Sequence, residues 1–123
     1  MSSLDEMPLI GFGSATIKGA DCVTAINTAL DAGVRLIDTA LLYDNQPSVG
    51  EAIRTHATPR SEIWITTKVA FFPSDNPATD PWMKVEEPNF KGGEAASIDM
   101  CLSQLGIDCI DLVLIHSPCA TAL

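Results

Sequence analysis

A chain of 123 residues that is 46% hydrophobic and 19% charged has the size of one ordinary domain and is too apolar to be disordered. Its net charge of −9, from 7 Lys and Arg against 16 Asp and Glu, argues against a nucleic acid or an anionic membrane surface as partner. Apolar runs such as Leu112 to Ile115 are too short to span a bilayer, and residues 1–9 hold acids but no basic or apolar leader, so neither a membrane anchor nor a secretory signal is expected.

In chain order, strand and helix alternate. "LIGFGSA", Leu9 to Ala15, is a short apolar run broken by glycines and predicts a first strand opening into a turn. "ADCVTAINTALDAG" from Ala20 places Val23, Ile26, Ala29 and Leu30 at helical spacing, with Asp21 as N-cap and Gly33 just past the end. Val34 to Thr39 reads as a second strand. Asn45 can cap a second helix, with Pro47 tolerated in its first turn and Val49, Ala52 and Ile53 on one face. "EIWITTKV", Glu62 to Val69, is β-branched and aromatic, a third strand. Ala70 to Pro88 holds four prolines and no period, so a long loop is expected, of a length that is usually functional. A third helix runs from Asn89 or Gly93 to Leu105, with Ala95, Ile98, Cys101, Leu102 and Leu105 as its stripe and Gly106 as its stop. Ile110 to His116 is a fourth strand.

This β-α-β-α-β-α-β order implies right-handed crossovers and a parallel sheet, an α/β fold. Three of the strands finish in a polar residue, Asp38, Lys68 and His116, and the chain's lone tyrosine, Tyr43, follows Asp38 by five positions. The C-terminal ends of parallel strands carry the site in such folds. Taken singly, each residue reads as a cap, a solvated charge or a structural histidine; taken together on successive strands they read as a site. A carboxylate at a strand mouth is costly alone, and Lys68 is the cation able to pair with it. The cysteines, Cys22, Cys101, Cys109 and Cys119, lack the spacing of a metal cluster and read as free thiols of a reducing, cytoplasmic compartment.

"MPLIGFGSA", "AGVRLIDTALLYDNQPSVGEAI", "RSEIWITTKV" and "LSQLGIDCIDLVLIHSP" resemble, in order and spacing, the N-terminal half of the aldo-keto reductases. The joint pattern of DxxxxY, a strand-ending ITTK and an LIH-x-P segment carries the resemblance. It implies the N-terminal half of a TIM (β/α)8 barrel, about four parallel strands and three helices, and NADPH-dependent reduction of an aldehyde or ketone to an alcohol. Asp38, Tyr43, Lys68 and His116 then correspond to the family's catalytic tetrad. Gly13 and Ser14, within Gly11 to Ala15, border the nicotinamide end of the cofactor together with Asp38. Tyr43 and His116 meet the substrate, and Trp82 in the long loop either joins that pocket or packs locally. In this chemistry Tyr43 gives the proton, a neighbouring Lys68 cation favours the phenolate, Asp38 holds the lysine, and His116 orients the carbonyl oxygen.

The same resemblance marks departures. Family members are complete barrels of roughly 300 residues, whereas residues 1–123 are expected to form a partial domain truncated after strand four, without the elements that grip the cofactor's 2′-phosphate. Gln46 stands where Glu is common. A second expectation is therefore a non-catalytic half-barrel that pairs with itself or with a full-length homologue through exposed barrel edges.

Overall fold

The computed structural model describes residues 6–69 and 93–116. Four parallel strands, β1 (Phe12–Gly13), β2 (Leu36–Asp38), β3 (Trp64–Val69) and β4 (Leu112–Ile115), alternate with helices α1 (Gly19–Asp31), α2 (Gln46–Thr55) and α3 (Gly93–Leu105). The sheet order is β1-β2-β3-β4, so each strand lies beside its predecessor. A doubly wound sheet would reverse direction at a switch point. This one does not, and winding in one sense is how a (β/α)8 barrel is built.

Period-two alternation sorts the strand residues between two faces. Ile37 and Ile65 pack with Cys22, Ile26 and Leu30 of α1, Val49, Ala52 and Ile53 of α2, and Leu105 of α3. Val69 joins Leu41 and Cys101 in a second cluster. Each fully buried branched side chain contributes about 1.5–3 kcal/mol relative to exposure. Leu36, Asp38, Trp64, Thr66, Lys68, Leu112 and Leu114 occupy the alternate positions and line the inner, barrel-side face. Gly11 leaves room for one of them, because a Cβ there would sit 2.3 Å from the Leu36 side chain.

Both predicted helix stops hold. Gly33 (φ +92) and Gly106 (φ +62) take left-handed turns after α1 and α3, where a Cβ would be strained. The predicted start of α1 does not hold. The helix begins at Gly19 with Lys18 at the N-cap, and Asp21 sits in the first turn, where its charge complements the helix's positive end. The strand ladders are also shorter than the apolar runs. Leu9 and Ile10 are exposed, since β2 offers β1 only the partners Ile37 and Asp38. On α3, Ala95 is exposed and Ser97 is buried in its place. The Ala70–Pro88 loop, with Trp82, lies outside the described residues.

Candidate active site

Asp38 closes β2, and Lys68 stands one pleat further along β3, whose Thr66 is the register partner of Asp38. The ammonium reaches back to use its donors on three acceptors. Lys68 Nζ donates to Asp38 Oδ1 at 2.5 Å, to the Thr39 carbonyl at 3.0 Å and to the Tyr43 hydroxyl oxygen at 3.4 Å. The pair is half-enclosed, the Lys68 side chain 16% and the Asp38 side chain 31% exposed, so the attraction is screened less than on an open surface.

Tyr43 is delivered by a short 3-10 turn, Leu41–Tyr43, whose first residue is anchored in the second apolar cluster. The Lys68 cation also lies 5.1 Å from the centroid of the Tyr43 ring. His116 follows β4, and its ring meets that of Tyr43 edge-on, centroids 5.7 Å apart and planes at 89°. Burial pushes the His116 imidazole below its ordinary 6.5, and the Lys68 cation adds to this while Asp38 opposes it. At neutral pH the ring is therefore uncharged. Its Nδ1 is enclosed and has no hydrogen-bond partner among the described residues.

Asp38, Lys68 and His116, expected at three strand ends, and Tyr43, expected just beyond one of them, thus converge on one mouth. The residues expected beside the cofactor divide. Gly13 pairs with Asp38, and a Cβ there would meet nothing within 4 Å, so the inner face beside the carboxylate is bare. Ser14 is wholly buried. Its N–H donates to the Asp38 carbonyl at 2.9 Å, and its Oγ is enclosed without a hydrogen-bond partner among the described residues.

Sequence reasoning missed what three residues do, of which Thr39 stands at this mouth. Thr39 supplies the backbone carbonyl that holds Lys68, a role carried by no side-chain signal. Asn45 occupies the N-cap position of α2 but makes no capping bond with its side chain. Gln46 is wholly buried, accepting from Thr67 Oγ1 at 2.7 Å and donating to Gln104 Oε1 at 2.9 Å. The amide serves as both acceptor and donor between β3 and α3, which a carboxylate cannot do.

Strands wound in one sense, with a Lys–Asp pair, a tyrosine and a histidine gathered at their C-terminal ends, define a barrel-type α/β protein whose site lies at the strand mouths. The family model described as "Aldo/keto reductase family" matches residues 9–122, and the chain belongs to that family of oxidoreductases. It is 37% identical to an "Aldo-keto reductase" of Mycolicibacterium paratuberculosis, over 93% of this chain and 35% of that protein. It is likewise 37% identical to "Glycerol 2-dehydrogenase (NADP(+))" of Saccharomyces cerevisiae, over 92% of this chain and 31% of that protein. Among solved structures, an aldo-keto reductase from a Medee basin deep-sea metagenome library superposes with a TM-score of 0.74 at 35% identity, covering 95% of this chain and 38% of that one. The chain thus spans about a third of the length of the relatives it matches.

Proposed function

We propose that residues 1–123 are the N-terminal part of an NADPH-dependent aldo-keto reductase domain and carry the proton-handling half of its site, acting on a small aldehyde or ketone in the cytoplasm. The observation that carries this reading is the Lys68 ammonium joined at once to the Asp38 carboxylate and the Tyr43 oxygen. The unpaired state of Cys22, Cys101 and Cys109 suits a reducing compartment.

The residues present suit the nicotinamide end of the cofactor. Gly13 leaves bare space beside Asp38, whose carboxylate can accept from a ribose hydroxyl. When bound, the reduced nicotinamide supplies the hydride that reduces the carbonyl carbon. Tyr43 then gives its hydroxyl proton to the developing alkoxide oxygen. The negative charge left on the Tyr43 oxygen faces Lys68 Nζ, and Asp38 and the Thr39 carbonyl keep that ammonium in place. His116, uncharged and with Nδ1 enclosed, offers Nε2–H to the substrate oxygen and fixes its orientation.

In a full-length reductase carrying this segment, Tyr43→Phe is expected to lower carbonyl reduction at least about a hundredfold, the span of general-acid catalysis. NADPH binding, followed by fluorescence, should stay unchanged. Near-normal turnover in that variant would overturn the assignment. A second reading, a half-barrel that associates through its edges, is favoured by the exposed Leu114 and Ile115 on β4.

A further inference from the structure

We propose that Asn45 is the positioning residue that sets the β1–α1 loop against the Tyr43–Lys68 arm of the site. The inference rests on the reductase reading above and deepens it. Asn45 is 2% exposed, and its short side chain makes three bonds to two other parts of the chain, using both of its donors. Nδ2 donates to the Ser14 carbonyl at 2.6 Å and to the Ile17 carbonyl at 2.8 Å, while Oδ1 accepts from Thr39 Oγ1 at 3.2 Å. One amide group therefore ties together the loop after Gly13, the residue whose carbonyl anchors Lys68, and, two positions upstream of itself, Tyr43.

Both segments it joins hold costly backbone. Thr16 (φ +70) lies inside the loop that Asn45 grips, and Asp44 (φ +52) is its immediate neighbour. A β-branched residue in the left-handed region persists only where its surroundings hold it there. On the outer side the same two segments meet again through the exposed Lys18–Asp44 pair at 3.1 Å. That exposed contact contributes little, so the register of loop against arm depends on the buried amide.

The amide is the chemical requirement. Asp at this position keeps the shape and the acceptor for Thr39 but loses both donors, setting a carboxylate against two carbonyl oxygens. In a full-length reductase carrying this segment, Asn45→Asp is expected to raise the NADPH dissociation constant and KM about tenfold, the worth of one or two lost hydrogen bonds. Amide exchange at Ser14 to Ile17 should accelerate, and kcat should fall less than KM rises. Thr39→Val should reproduce part of the kcat loss with little change in NADPH affinity, and Thr39→Ser should restore wild-type behaviour. Tyr43→Phe, measured beside them, reports on the reading beneath. If Tyr43→Phe abolishes turnover while Asn45→Asp leaves NADPH affinity and Ser14–Ile17 exchange unchanged, the positioning role of Asn45 is overturned and the reductase reading stands. If neither variant changes turnover, the reductase reading itself has failed.

Discussion

At the scale of single residues, the site is a problem of holding one cation. Lys68 is enclosed enough that losing its carboxylate leaves an ammonium with a carbonyl and a phenol as its polar company. Asp38→Ala is therefore expected to lower stability by about 1–3 kcal/mol, short of a fully buried pair because Asp38 keeps contact with solvent. Chemical denaturation checks this, and in a full-length reductase carrying this segment the rate of carbonyl reduction is expected to fall as well. His116 adds a pH dependence of definite sign. Its folded-state pKa lies below the ordinary 6.5, so on acidification the unfolded chain takes up the proton first. The stability associated with a neutral His116 is full above that value and is lost as the pH falls through it toward the folded-state pKa. Urea midpoints at about pH 7.5 and about pH 5.5 should drop less in His116→Asn than in the parent.

At the scale of elements, α2 and α3 approach more closely than side chains alone permit. A Cβ on Gly50 would sit 2.0 Å from the Leu105 carbonyl oxygen, and that atom is backbone, so it cannot swing aside. The same carbonyl receives Arg54 Nη1, which covers the C-terminal end of α3. Gly50→Ala would be favourable for an isolated helix. Here it is expected to cost about 1–3 kcal/mol through overpacking, seen as a lower urea midpoint with unchanged m-value. The opposite sign would mean that α3 can move away. Between the same helices, buried Thr67 and Gln46 and half-buried Gln104 form a polar chain, and Cys101 lies 3.9 Å from Thr67 Oγ1. Burial pushes the Cys101 thiol up, against the opposing hydrogen bonds of Gln46 and Thr67, so it packs as a small apolar group rather than a reactive thiolate.

At the scale of the whole molecule, charge decides what the 123 residues can do alone. Every described cation already has an internal partner. Lys18 meets Asp44, Arg35 the Leu30 and Val34 carbonyls, Arg54 the Leu105 carbonyl, Arg60 Asp111, and Lys68 Asp38. Of these described cations only Lys18, in its exposed pair with Asp44, is cheaply released to a 2′-phosphate. On the other side of the ledger, Leu114 and Ile115 leave apolar surface exposed on β4, 39% and 49% accessible. Residues 1–123 expressed alone are therefore expected to bind NADPH weakly or not at all and to run as dimers or larger species. Light scattering and cofactor fluorescence test this together. A monodisperse monomer that quenches NADPH fluorescence at about micromolar cofactor would refute it.

By itself the sequence determined the alternation of elements, the parallel sheet, both glycine stops and the four side chains at the strand mouths. Each of these is written in local spacing: period two or 3.6, a glycine just past a helix, a polar residue closing an apolar run. Tertiary structure decided the rest. Asn45 reads locally as a helix cap, yet its side chain bonds to residues 31 and 28 positions earlier. Ser14 sits in a glycine-broken stretch that reads as a turn, yet the folded chain buries it completely. The Thr39 carbonyl holds Lys68 across 29 residues with no side chain to announce it. Such contacts depend on how strands set in register bring distant segments together. A short polar side chain satisfies whichever buried backbone group that register leaves without a partner, and no local pattern encodes which one that is.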